Sequence, residues 1–446
     1  MVYMETSFTV RPRAAGLDWD AKPLSMMGKE TMKRLTMGAG LLVLAMLVLS
    51  GCGGTAVETK DDGSVVIAEL DDKQCRFLCA GDVNNDGRPD LVAAAMKSGL
   101  WIFWQEADGS YRREQIDADS SGYEHTTYIT DLDGDGTVEI YVAADDQREV
   151  RSYVYQGGSF EKSLVVPIPP DHITWNLTCG AVADPETGTT WPSLLMGQAQ
   201  FVDDNGSMKP GPAKLVIIQM TNDGWKEVVL EDPVSNVFHK AMIYDFEGEE
   251  PGILTIGANQ AALKIWRHQD GAWQETLLWN PVFGGKWDRL RDIEIGDVTG
   301  DGIDELVIAT HDQGVVAVAM RTDEGWDIME MSRMPSTFVH EVEIGDVDGD
   351  GLNEFFTTPS EPNKASGHSQ PGHVYMYKWN GTEFVQSVVD DFETSHAKEI
   401  LAADMNGDGI SELFSVMEAR TTKEGKKVEI VVPVQIKQYL DLAGTP

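Results

Sequence analysis

The sequence predicts an all-β fold, a seven-bladed β-propeller of four-stranded antiparallel blades. Three observations carry that prediction. A carboxylate-rich turn recurs, beginning at Asp82, Asp131, Asp297, Asp346 and Asp404; 49 residues separate the first two and again the third and fourth, and 58 the last pair. The gap of 166 residues between Asp131 and Asp297 holds two eroded copies, at Asp184 and Asp245, which leaves spacings of 53, 61 and 52. Between the turns lie short apolar or alternating runs, set off by Gly, Asp and Asn, with no sustained helical period. A fixed repeat of this length decides the fold before any single motif does.

The first element is not part of that repeat. Lys33 and Arg34 precede an apolar run from Leu35 to Leu49, which ends in Ser50, Gly51 and Cys52. A short basic start, an apolar middle and small residues at the end describe an export signal. The run falls short of the roughly 20 residues that a membrane span needs. Its ending, LSGC, resembles a bacterial lipobox, in which the cysteine is lipidated and becomes the first residue. Residues 32–51 are then a lipoprotein signal peptide, Cys52 carries the lipid, and 1–31 is an upstream extension outside the mature protein. Residues 52–72 read as a tether, and the stretch 57–72 is a candidate for a strand that closes the ring on the final blade.

The propeller occupies 73–446, with blades near 73–118, 119–168, 169–230, 231–280, 281–332, 333–390 and 391–440. Each unit follows one plan. An alternating strand such as HEVEIG leads into the acidic turn, and an apolar strand such as LVIAT leaves it. A variable loop, a third strand such as VVAVAM, a turn rich in Gly, Asp and Asn, and a fourth strand such as FVQSVV complete it. A single blade has two apolar faces and cannot cover both; a closed ring of blades covers each with its neighbour.

Numbered from its first Asp, the turn carries oxygen side chains at positions 1, 3 and 5: Asp82, Asn84 and Asp86; Asp131, Asp133 and Asp135; Asp297, Thr299 and Asp301; Asp346, Asp348 and Asp350; Asp404, Asn406 and Asp408. Position 6 is Gly in all five, and position 9 is Asp90, Glu139, Glu305, Glu354 or Glu412. Position 7, at Arg88, Thr137, Ile303, Leu352 and Ile410, offers a backbone carbonyl. Hard cations take six to eight oxygens, and glycine permits the sharp bend that wraps them. An EF-hand is excluded, because position 12 is Ala93, Val142, Ile308, Thr357 or Ser415 rather than Glu, and strands flank the turn.

The pattern Asp-x-Asp-x-Asp-Gly-x-x-Asp/Glu between strands resembles the FG-GAP/VCBS repeats of integrin-like β-propellers. The resemblance spans nearly all of the mature chain, with five specific motifs and two degraded ones. It implies Ca²⁺ in up to five sites, in blades one, two, five, six and seven. Thr299 makes the blade-five site the weaker one, and no metal is expected at Asp184 or Asp245.

A second positional pattern lies six residues before each first Asp: Arg76, His125, Thr178, His239, Arg291, His340 and Lys398. Six of the seven are basic or imidazole groups. Six residues of strand span about 20 Å, so these side chains are expected near the inner rim on the face opposite the turns. Loops carrying His311 and His373 reach that face, and Trp175 and Trp287 lie just before first strands. Such residues can form a ligand ring, or they can cap strands and pair with carboxylates of neighbouring blades such as Glu341 and Glu343; the residues leave both readings open.

The formal charge of −38 argues against nucleic acid and anionic membrane surfaces as partners. Membrane attachment is expected only through the lipid, placing the protein in the bacterial cell envelope, at the outer membrane or cell surface, as a monomer. Beyond Cys52, three cysteines remain, Cys75, Cys79 and Cys179; either Cys179 pairs with one of the others or all are buried thiols. No hydrolase elbow, phosphate loop, HExxH or dinucleotide fingerprint is present. The leading expectation is therefore a binding module for a glycan or protein partner. The alternative is a lyase that cleaves uronate polysaccharides by β-elimination, with Arg291 neutralising the carboxylate and His239 or His340 as base.

Overall fold

The computed structural model describes residues 63–204, 207–246, 248–258, 260–284, 289–311, 313–323, 325–361, 371–424, 427–440 and 442. The expected export signal, the expected lipidation site Cys52, residues 52–62 of the expected tether, and Trp287 lie outside the described residues. Every element assigned among the described residues is a strand.

Among the described residues, seven antiparallel blades are built on four strands each, with a fifth strand added to the third blade and a separate two-stranded hairpin beside the seventh. In blade one, Cys75–Gly81, Asp90–Ala95, Gly99–Gln105 and Tyr111–Asp117 pair in that order. The same meander repeats in the blades whose first strands are Thr127–Thr130, His172–Ala183, Phe238–Tyr244, Leu290–Gly296 and Phe338–Gly345. The first strands touch one another in cyclic order, and the seventh, Ala397–Ala403, returns to touch Cys75–Gly81. The ring is closed, and the first strands line its axis.

Period-two alternation explains why seven sheets need no other support. The second strand Asp90–Ala95 is buried along its whole length. Val92 and Ala94 face the core shared with blade two, among Ile140 and Tyr153. Leu91, Ala93 and Ala95 face the other way, into the core shared with blade seven, among Phe414 and Val416. Leu254, Ile256, Leu306 and Ile308 fill the interface of blades four and five in the same manner. A strand covered on both faces reads as a continuous apolar run, which is what these second strands show. Each fully buried Val, Leu, Ile or Phe contributes about 1.5–3 kcal/mol.

The seventh blade is composite. Its first three strands, Ala397–Ala403, Glu412–Met417 and Val434–Tyr439, come from the end of the chain, and its outer strand, Ser64–Leu70, comes from the beginning. Leu70 is fully buried in the core between blades seven and one. Two additions depart from the repeat: a hairpin of Arg420–Glu424 and Lys427–Val432 beside blade seven, and Ser207–Pro210, which pairs with the long second strand of blade three, Thr190–Asp204.

Candidate functional site

The five acidic turns share one geometry. The position-6 glycine has a left-handed φ of 84–89°, a conformation costly for any other residue. Its N–H donates to the position-1 carboxylate at 2.8 Å (Asp82, Asp297) or 2.9 Å (Asp131, Asp346, Asp404). The position-7 N–H donates to the position-5 Asp at 2.7–3.0 Å. Glu139, Glu305, Glu354 and Glu412 reach back from position 9 to the position-2 N–H at 2.7–3.2 Å.

The oxygens left over converge. Three carboxylate oxygens of Asp131, Asp133 and Asp135, and three of Asp346, Asp348 and Glu354, lie within 4.8 Å of one another. Asp90 is almost fully buried, and its Oδ2 has no hydrogen-bond partner. Burial, reinforced by the turn carboxylates, pushes Asp90 up to about 6 and Glu305 up to about 7. Glu139, Glu354 and Glu412 move in the same direction, chiefly through burial. Crowded, partly desolvated carboxylates of this kind fit a hard cation, which would relieve both effects. The sets differ in what already sits beside them. Lys378 places Nζ 2.8 Å from Asp350 and 3.3 Å from Glu354 and hydrogen-bonds Asp348, so blade six carries its own ammonium. In blade one the Arg88 guanidinium pairs with Asp86. In blade five Thr299 donates to Glu305 at 3.3 Å. Asp184 of the degenerate blade-three turn is held by Lys226 at 2.6 Å.

At the other end of the first strands, the hydrogen-bond register slips at one recurring place. The slips fall between Cys75 and Phe77, Thr174 and Asn176, Phe238 and Lys240, Leu290 and Asp292, Val339 and Val342, and Ala397 and Glu399. Bulges re-aim side chains, and these present Arg76, Trp175, His239, Arg291, His340 and Lys398. His125 occupies the corresponding place in blade two, with φ of 57°. Blade three requires a correction. Counting back from Asp184 selects Thr178, but that first strand runs twelve residues and its bulge falls at Trp175. Thr178 instead donates to the Ala241 carbonyl at 2.6 Å, clipping blades three and four together.

The bulge residues form a connected collar. Arg76 pairs with Glu124 of blade two and lies 4.6 Å over the Tyr123 ring. Tyr123 is 5.8 Å from Trp175, and Trp175 is 5.4 Å from His239, both edge-on. His311, in the loop after the second strand of blade five, stands 6.4 Å from His239 and 6.0 Å from His340. His340 closes the circuit to Lys398 at 2.9 Å. Arg291 pairs with Glu341 at 3.1 Å. Four members had no positional signal: Tyr123 and Glu124, His396, whose ring is 5.2 Å from His340, and Glu418, which approaches His396 at 3.5 Å. His373 does not join the collar; it sits on a third strand, stacked on Tyr375 and facing Asp391 at 3.3 Å.

Burial favours the neutral form of four collar imidazoles, His125, His239, His311 and His340. His125 Nδ1 donates to the Ala95 carbonyl and Nε2 accepts from Ser120, both at 2.7 Å, and burial lowers its pKa to about 4. Burial, with Arg291 and other cations adding to it, lowers His239, His311 and His340 well below 6.5. His239 Nδ1 donates to the Leu290 carbonyl, which leaves Nε2 a lone pair of low basicity. Both nitrogens of His340 are engaged, by Ser360 at 2.8 Å and by Lys398. His340 therefore has no lone pair for taking a substrate proton. Several polar atoms of the collar are buried without a hydrogen-bond partner, among them Arg76 Nε, Glu124 Oε2, Trp175 Nε1 and His311 Nδ1. Cys75, Cys79 and Cys179 are free thiols.

The FG-GAP-like repeat matches residues 82–142 and 346–415, in each case from one acidic turn through the second strand of the next blade. Seven blades close into a ring, so the chain is a β-propeller that carries FG-GAP-like repeats in these two stretches. No curated protein matches it. Among solved structures it is similar to BBS1N in complex with ARL6DN, at 12% identity and a TM-score of 0.48, covering 85% of this chain and 96% of that one. It is also similar to the exotype rhamnogalacturonan lyase YesX, at 15% identity and a TM-score of 0.44, covering 84% and 75%. AofleA from Arthrobotrys oligospora is similar at 11% identity and a TM-score of 0.41, covering 76% and 91%.

Proposed function

We propose that this propeller is an exported, lipid-anchored binding module that takes a carboxylate-bearing ligand, an acidic glycan or an acidic segment of a protein, at the collar end of its axis. Calcium in the acidic turns holds the opposite face rigid and takes no part in contact. The observation that carries this reading is Trp175. Its Nε1 is buried without a partner, and its ring stands between Tyr123 at 5.8 Å and His239 at 5.4 Å. An unsatisfied buried donor costs about 1–3 kcal/mol, which a ligand oxygen would recover. The exposed Tyr123 ring beside it offers a stacking surface for a sugar or a side chain.

The test is an array of acidic and neutral oligosaccharides, probed with the wild type and with Trp175→Phe, which keeps the ring and removes the donor. Uronate-bearing glycans are expected to bind, and the variant to lose about tenfold in affinity with a melting temperature no lower than that of the wild type. Equal binding by the variant would overturn the collar as the site. Binding of an acidic peptide and no glycan would assign the ligand to the protein class.

A further inference from the structure

One step along the axis from the collar, the charge changes sign. The first strands of blades four to seven present Lys240, Asp292, Glu294, Glu341, Glu343 and Glu399 towards the centre, where they line one narrow cleft. Lys240 pairs with Asp292 at 3.0 Å and with Glu294, and Arg291 takes Glu341. Glu343 and Glu399 have no ion pair among the described residues. Burial and the neighbouring carboxylates hold both well above the usual carboxylate range.

A cavity of about 430 Å³ adjoins this layer and shares Lys240, Glu294 and Glu399 with it. Much of its remaining wall is apolar, with Phe77, Leu177, Met242 and Ile295 among the lining side chains. Asn176 lines both spaces, is only 7% exposed, and has an Oδ1 with no hydrogen-bond partner. A buried acceptor, unpaired carboxylates and apolar walls together call for a cation with a hydrocarbon body. A bare metal ion fits poorly. Among the described residues the only sets of three acidic, His or Cys ligand atoms within 4.8 Å of one another are in the turns, not on the axis.

We propose that the axial cavity binds an aliphatic amine, with its ammonium at Glu399 and Glu294, one N–H donated to Asn176 Oδ1, and its methylenes against Phe77 and Met242. The same chemistry is carried by a free polyamine and by the lysine side chain of a partner, and the two are separated by the probe. No bond is made or broken.

The experiment is isothermal titration of the full-length protein, held in saturating calcium, with spermidine and separately with Nα-acetyl-lysine amide. One saturable site is expected for at least one of them; the tighter probe identifies the source. Glu399→Gln, which keeps the shape and cannot ionise to meet the ammonium, is expected to weaken that site about tenfold or more. Asn176→Leu, checked for folding by circular dichroism, is expected to weaken it as well. Absence of a saturable site for both amines overturns the proposal. So does a set of weak sites unchanged by Glu399→Gln, which would be adsorption to a very acidic surface, and so does full displacement by equimolar magnesium.

Discussion

Lys398 of blade seven holds its ammonium 2.9 Å from Nδ1 of His340 in blade six, and the two side chains are 5% and 0% exposed. Burial brings the lysine from 10.5 down to about 7, with Glu418 opposing the shift. A base whose folded-state pKa is lowered binds its proton more weakly when folded, so the unfolded chain carries more protons above pH 7. Stability should then rise with pH from 7 towards 10.5. Urea denaturation between pH 7 and 9 checks this. Above pH 9 the buried thiols of Cys75 and Cys79, raised by burial, act in the opposite sense. The wild type is expected to gain roughly 2 kcal/mol over that interval, and Lys398→Met to lose the gain.

On the acid side the buried histidines lower stability, against the raised carboxyls of Asp90 and Glu305, which act in the opposite sense. His125 titrates at about 4 when folded and at 6.5 when unfolded. In that window the unfolded state takes the proton first, so stability falls as pH drops. At pH 5 the loss from His125 alone is roughly 2 kcal/mol. His125→Asn tolerates the left-handed backbone and should remove that share, seen as a shallower decline in the urea midpoint from pH 7 to pH 5.

Calcium should stabilise the ring by about 2.7 kcal/mol per site at a hundred times Kd. EDTA is therefore expected to lower the melting temperature, and Asp131→Asn to remove one ion from the stoichiometry. Blade six is the informative case. Lys378 occupies the space a cation would take, so Lys378→Met should tighten the weakest step of a calcium titration. An unchanged titration would mean that the lysine yields freely.

Leu70 anchors the outer strand of blade seven in the core shared with blade one. Leu70→Ala should cost about 2–5 kcal/mol in chemical denaturation. That is more than a substitution at the exposed Leu164 would cost.

What could be read from the chain was what repeats in sequence. The interval between acidic turns, the glycine at position 6 and the alternation on either side are local, and they lead to seven blades. The collar was legible only where its distance from the turn is constant. In blade three the turn is degenerate and the first strand is longer, so the count fell on Thr178 while the bulge placed Trp175. His396 and Glu418 have no fixed offset, and they meet His340 and Lys398 only because the ring closes. The acidic layer of Asp292, Glu294, Glu343 and Glu399 reads in sequence as ordinary polar positions of alternating strands. It becomes a chamber because strands far apart in sequence converge on one axis. Ser207–Pro210 and the hairpin 420–432 carried no repeat signal at all.

The pairing of Ser64 with Tyr439 also sets a schedule for biogenesis. The segment that completes the last blade leaves the ribosome before the six blades that follow it and must wait, unpaired, while they are made. Until 434–439 emerges, the chain holds an arc with two raw ends, and an arc of that kind can be joined by a second molecule as readily as by its own tail. Chaperoning has to carry the chain through that interval, so the moment of greatest hazard for the ring comes just before 434–439 emerges.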